Sequence, residues 1–261
     1  MMVSQAQSQE LPDDITAKGY LTAAIVPNYP PLEFKDPETN QLTGFDYDLG
    51  MALVEHLGIE MRWQESAFEQ MISGLTTGRS DIVLSGMTDT AERQQVVSFI
   101  NYLRSGPQFY TLADNSDTDV ATDLCGKRVG TSRRTNFPRE IETWSEANCV
   151  AEGLPAIEVI GTEGSADARA QLRQRRLDAA VQGGETLPYI QSMEPGAYKI
   201  VGEPLAYQYT GIATAKDNIE LIDALSNALD ELIQNGVYGD IIEKWGLEDS
   251  AVEEVMINAG S

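Results

Sequence analysis

Two rhythms of apolar and polar positions alternate along this chain. Short apolar runs read as strands: YLTAAIV (20–26), MRW (61–63), DIVLSG (81–86), KRVG (127–130), IEVI (157–160) and DAAVQG (178–183). Between them lie stretches whose apolar residues recur at helical spacing: FDYDLGMALVEHLG (45–58), stopped by Gly58, FEQMISGLTTG (68–78), and segments near 136–147 and 166–175. Strand and helix in regular succession predict an α/β layered fold with mostly parallel sheets. Beyond YQYTGIATAKDN (207–218), Asp217 with Glu220 three residues on predicts a capping box. It opens a helix with an apolar stripe of Ile219, Leu221, Ile222, Leu225, Leu229, Leu232 and Ile233, ended by Gly236. VYGDIIEKWGL (237–247) is a further amphipathic segment, and the acidic tail after Leu247 carries no strong signal.

One pattern occurs twice. LTTGRSDIVLSG (75–86) and LRQRRLDAAVQG (172–183) share L-x-x-x-R-x-D-x-x-x-x-G, each ending a helix, turning, and opening a strand that finishes at glycine. In open α/β sheets ligands bind beyond the carboxyl ends of strands, so Gly86 and Gly183 mark candidate ligand-facing positions in two related lobes.

Charge narrows the partners. With 41 acidic against 18 basic residues the formal net charge is −23, which argues against nucleic acid and anionic membrane surfaces, since both require a basic face. No stretch approaches the length of apolar residues that a spanning helix needs, and the start, MMVSQAQSQELPDD, lacks an apolar signal region, as in a mature soluble protein. Cys125 and Cys149 have no CxxC spacing and only His56 for company, so they supply no common zinc set. They are either two buried thiols or one disulfide closing a 24-residue loop in an oxidising compartment. No Ser/His/Asp set, phosphate-cradling glycine loop or metal cluster is visible, and His56 near a helix end reads as a surface residue, so no cofactor is expected.

The order NYPPLEF, LTGFDYDLGMAL, FEQMISGLTTGRSDIVLSGMTDTAERQQVVSF, DLCGKRVG, RRLDAAVQ and ALDELIQNGVYGDIIEKWG resembles the family 3 extracellular solute-binding proteins, the polar amino-acid receptors of bacterial ABC importers. The likeness runs from about Lys18 to Leu247, and INAG (257–260) is similar to tails in that family. It implies a type II periplasmic-binding-protein-like fold of two α/β lobes with a ligand cleft and a two-strand hinge near 108–112 and 204–209. Lobe 1 is then discontinuous, 1–110 and 206–261, with lobe 2 at 111–205. It further implies a Cys125–Cys149 disulfide, an extracytoplasmic, periplasmic location, a monomer, and an ABC permease in the inner membrane as partner.

For the ligand, the resemblance assigns contacts to Ser85, Gly86 and Thr88, and a carboxylate clamp to Arg93. A helix start after the strand would add N–H donors. From the residues alone, Asp89 capping that helix with Glu92, and Arg93 lying on the surface, is the competing reading. Tyr29 and Phe68 match aromatic walls of the ligand site, although Phe68 also suits a core, ahead of Met71, Ile72 and Leu75. Thr135 matches a backbone donor of the second lobe. Here SRRTN (132–136) replaces the usual glycine-threonine pair, so that Arg133 and Arg134 are either a solvated pair or positive charge beside the ligand.

The other departure is Gly183, where amino-acid receptors of this kind carry an aspartate for the ligand's α-ammonium. Either Glu185, two residues on, substitutes, or the ligand has no free ammonium there. The expectation is thus a receptor for a small carboxylate-bearing solute: an amino acid, an amino-acid derivative or an organic acid. The alternative is a dehydratase-like enzyme on the same fold with Glu185 as general acid.

Overall fold

The computed structural model describes residues 11–260, so the polar start, on which the expectation of a mature chain rests, lies almost wholly outside the described residues. In chain order the elements are α1 (Asp13–Lys18), β1 (Tyr20–Ile25), β2 (Asn28–Tyr29), β3 (Glu33–Lys35), β4 (Leu42–Thr43), α2 (Phe45–Leu57), β5 (Glu60–Glu65), α3 (Met71–Thr76), β6 (Ile82–Val83) and β7 (Val97–Ser105). There follow β8 (Pro107–Leu112), β9 (Arg128–Ser132), α4 (Phe137–Asn148), β10 (Glu158–Thr162), α5 (Ser165–Arg173), β11 (Ala179–Gly183), α6 (Leu187–Met193) and β12 (Tyr198–Val201). The chain ends with β13 (Gln208–Ala215), α7 (Ile219–Gln234), α8 (Val237–Trp245) and β14 (Ala251–Ile257).

Among the described residues two compact units result, one of residues 11–27, 32–103 and 209–260, the other of 28–31 and 104–208. β8 pairs along its length with β11 and β12, so the change of unit falls at 103/104 rather than at 110.

In the first unit the sheet order is β14-β7-β13-β6-β1-β5. β1 runs parallel to β5 and β6, as helical crossovers require, but β13 is antiparallel to β6 and β14 to β7. The second unit's sheet, β10-β9-β11-β8-β12, has the same mixture: parallel at β10–β9–β11, antiparallel at β11–β8–β12. The expected mostly parallel sheets are therefore mixed, since β8, β13 and β14 each run antiparallel to a neighbour. β14 also occupies the tail that carried no signal.

α2 ends at Gly58 in the left-handed conformation, φ +70°, and buries Phe45, Leu49, Leu53 and Val54. α7 buries Leu221, Ile222, Leu225, Leu229 and Leu232, each worth about 1.5–3 kcal/mol when fully removed from water. Its cap is Asn218, whose side chain accepts the Leu221 N–H at 3.2 Å, not the expected Asp217. In the second unit Cys125 and Cys149 form a disulfide with Cα atoms 5.6 Å apart, tying the loop before β9 to the end of α4. By loop-entropy reasoning the 24-residue separation contributes roughly 3 kcal/mol.

The repeated sequence pattern corresponds to a repeated staple. Asp81 Oδ2 accepts the Thr22 N–H of β1 at 2.7 Å, and Asp178 Oδ2 accepts the Arg128 N–H of β9 at 2.9 Å. Each aspartate also has a cation, Lys18 at 2.7 Å and Arg128 at 3.0 Å. Each has a threonine hydroxyl on its own carbonyl: Thr214 on Asp81, 3.2 Å, and Thr111 on Asp178, 2.7 Å. The arginine of each pattern closes the preceding turn, Arg79 N–H to Gly74 O and Arg176 N–H to Gln171 O. The staples fix how β6 and β11 start, and hence where Gly86 and Gly183 lie at their far ends.

Candidate ligand-binding site

In the first unit the end of β6 is held from behind by two buried carboxylates that the sequence reading missed. Ser85, only 1% exposed, donates its hydroxyl to Glu33 Oε1 at 2.9 Å and accepts the Val26 N–H at 3.0 Å. The Gly86 N–H donates to Asp46 Oδ2 at 2.7 Å. Both expected contacts thus have partners inside the protein and shape the turn. Burial, then the neighbouring Asp46 and Glu33 charges, hold the Tyr102 phenol far above its usual pKa. The signal lay in PPLEF and TGFDYD, where a carboxylate sits inside an apolar run.

Past Gly86, φ +53°, the expected helix does not form. Residues 93–95 make a single 3-10 turn, and β7 begins at Val97. Asp89 caps nothing: it is 1% exposed, and its carboxylate accepts from Gln94, Asn101 and the Gly260 N–H. Thr90 Oγ1 instead accepts the Arg93 N–H at 3.3 Å. No helix N-terminus therefore supplies donors, and both the helix-start and the Asp89/Glu92 capping expectations are corrected. What the turn does present is a side-chain cluster. Arg93 Nη1 donates to Thr88 O at 2.7 Å, and its guanidinium lies 5.4 Å from the centre of the Phe68 ring. Thr88 bridges to Thr210, and Phe68 is half-buried against Met71, Leu75 and Met87. The carbonyl and the aromatic ring thus hold the guanidinium in place.

In the second unit Tyr29, Gly183 and Glu185 form one hydrogen-bonded group. The Tyr29 hydroxyl accepts the Gly183 N–H at 2.9 Å and donates to Glu185 Oε1 at 3.1 Å. After β11 the chain turns through residues 184–186, held by Gly184 N–H to Gly106 O, Glu185 N–H to Ser105 Oγ at 3.0 Å, and the Thr186 hydroxyl to Gly183 O at 2.7 Å. Gln182 anchors that turn from inside, bonding Thr186 with its amide nitrogen and accepting from Tyr110 and Arg169, each at 3.2 Å. The turn folds Glu185 back over β11. A Cβ built at position 183 would lie 2.0 Å from Glu185 Oε1 and 2.4 Å from Oε2, so the carboxylate fills the space in which a side chain at 183 would begin. Glu185 is 8% exposed, and burial raises its pKa, against bonds from Ser105, its own N–H and Tyr29 that lower it. Among the described residues no basic side chain forms an ion pair with it.

The remaining candidates lie at the end of β9. Arg133 and Arg134 both pair with Glu163, Arg134 at 3.4 Å with its side chain 45% exposed, so the two share one carboxylate near the surface. The Thr135 hydroxyl donates to Ser132 O and accepts the Phe137 N–H that opens α4, while its own N–H reaches Ser132 O at 3.4 Å. Among the described residues no three His, Cys, Asp or Glu side chains gather as a metal site, and no helix is long and apolar enough to cross a membrane.

The chain is 29% identical, over 95% of its own length and 81% of the other, to the arginine-binding protein of Corynebacterium glutamicum. It is 27% identical to the L-cystine-binding protein of Escherichia coli, over 94% of this chain and 89% of that one. Among solved structures, an ancestral arginine-binding protein bound to arginine superposes with a TM-score of 0.76 at 30% identity, covering 87% of this chain and 98% of the other. The sequence profile of one family matches residues 21–248, nearly the whole described chain, and this chain therefore belongs to the bacterial extracellular solute-binding proteins, family 3.

Proposed function

We propose that this chain is a periplasmic, monomeric receptor for an α-amino acid, which it hands to the permease of an ABC importer. Arg93, with Thr88 and Phe68, takes the ligand's α-carboxylate; Glu185, oriented by Tyr29, takes its α-ammonium. Arg134 and Thr135 lie at the margin of the second unit's contribution. The observation that carries this reading is the Glu185 carboxylate in the space of the side chain that position 183 lacks. It restores the acid that Gly183 removed, and so favours an amino acid over an organic acid without an amine, which a buried carboxylate would repel. The names of the arginine- and L-cystine-binding relatives support the same ligand class. Those relatives are binding proteins, not enzymes, and a general-acid role for Glu185 has no support.

The test is calorimetric titration with L-arginine, L-histidine and L-cystine, and with the N-acetyl derivative of whichever binds. At least one is expected to bind with a free α-ammonium requirement. N-acetylation should cost more than about 100-fold in affinity, since leaving one member of a buried charge pair alone costs roughly 3–5 kcal/mol. Binding of a simple organic acid with no response to any amino acid would overturn the assignment.

A further inference from the structure

The C-terminal residues Asn258–Gly260 lie against the turn that carries Arg93, and every polar contact there points the same way. Gln94 Nε2 donates to Asp89 Oδ1 at 2.7 Å, to Gly260 O at 2.9 Å and to Asn258 O at 3.2 Å. The Gly260 N–H donates to Asp89 Oδ2 at 2.9 Å, and the Ala259 N–H to Asn101 Oδ1 at 3.1 Å. Asn258 is clipped to β7 through Phe99, its Oδ1 accepting the Phe99 N–H at 2.8 Å and its own N–H reaching Phe99 O at 3.0 Å. Its backbone takes the left-handed conformation, φ +53°, which turns the chain off β14 toward Asp89. The fit at Gly260 is close: a Cβ there would stand 2.0 Å from Asp89 O and 2.7 Å from its Cγ. From the other side the Asp89 N–H is held by Tyr209 O at 2.8 Å.

We infer that the C-terminal Asn258–Gly260 segment is a strut that positions the Arg93 carboxylate fork, acting through Asp89 and Gln94. In place of the helix that the sequence leads one to expect, residues 88–95 have only a short turn, with Gln94 N–H on Thr90 O, Gln95 N–H on Glu92 O and Val96 N–H on Arg93 O, and that turn needs an outside contact to define where Arg93 points. The tail supplies that definition. The Asp89 carboxylate gathers three donors from three separate stretches of chain, Gln94, Asn101 and Gly260, and a buried carboxylate that lost Gly260 would have to re-form its network or draw in water. Asn258, Ala259, Gly260, Asp89 and Gln94 are thus positioning residues, and the inference rests on the reading of Arg93 as the carboxylate clamp.

Gly260→Ala and a chain ending at Ile257 test this in the otherwise complete protein. Amide exchange is followed by mass spectrometry without ligand. Residues 88–95 are expected to exchange about tenfold or more faster in both variants, with β1 and β5 unchanged. The preference for L-arginine over L-argininamide, which differ only at the carboxylate, is expected to fall by a similar factor, a change that general loss of stability would not produce. Unchanged exchange across 88–95, or an equal rise throughout the first unit, would overturn the strut. If intact protein ignores L-arginine, the ligand assignment suffers, and the exchange measurement still decides the role of the tail.

Discussion

Burial lifts the Glu185 carboxyl above its ordinary pKa more than the Ser105, backbone and Tyr29 bonds lower it. An acid raised in this way holds more protons folded than unfolded between its two pKa values. Its cost to stability is therefore absent below the unfolded pKa and grows as pH rises through the folded one. Glu185→Gln is accordingly expected to raise the ligand-free Tm at pH 7 by about 2–4 °C, to raise it less near pH 4, and to weaken amino-acid binding at least about tenfold. Scanning calorimetry at both pH values with parallel titrations checks it; an equal Tm change at both would mean the carboxyl is not strained. Gly183→Ala is the companion variant, since its methyl would meet Oε1 at 2.0 Å and expel the carboxylate. The sequence brought Gly183 and Glu185 together as a problem with two solutions. The proposal that Glu185 substitutes rests on the turn at 184–186, whose anchors, Ser105, Gly106 and Tyr29, lie far away in the chain.

At the scale of elements, the two aspartate staples do the same work in each unit. For Asp178, burial pushes the carboxyl up, but the Arg128 side-chain and backbone bonds outweigh it and the pKa is lowered. Its stabilisation is then present above the unfolded pKa and lost as pH falls through the folded one. Asp178→Ala is expected to cost about 1–3 kcal/mol in urea unfolding at pH 7, and less near pH 3. A cost independent of pH would point to packing rather than to the staple. The L-x-x-x-R-x-D repeat was legible, and so were α2, α4, α5, α7 and most central strands, because apolar periodicity is a local property. The turn at 89–95 was misread for a physical reason: TDTAER carries good local helix-start chemistry, and the distant Asn101 and Gly260 take Asp89 away from it.

For the whole molecule, 41 acidic residues against 18 basic ones leave a net charge of −23, which opposes compaction. Sodium chloride raised from about 0.05 to about 0.5 M is expected to increase Tm by several degrees, since the screening length falls well below the spacing of most surface charges. A thermal-shift series in salt checks it, and a fall in Tm would show that pairs such as Lys18–Asp81 outweigh the overall repulsion. By itself the sequence determined the composition of each layer, the overall charge, the family and the repeated pattern that ends at Gly86 and Gly183, since periodicity, charge and motif order are carried within short stretches. Only the tertiary structure decided the mixed strand directions, the buried Glu33 and Asp46 behind Ser85 and Gly86, the tail on Asp89 and the place of Glu185. Each of these depends on contacts between residues tens of positions apart, where burial and hydrogen-bond satisfaction override local preference.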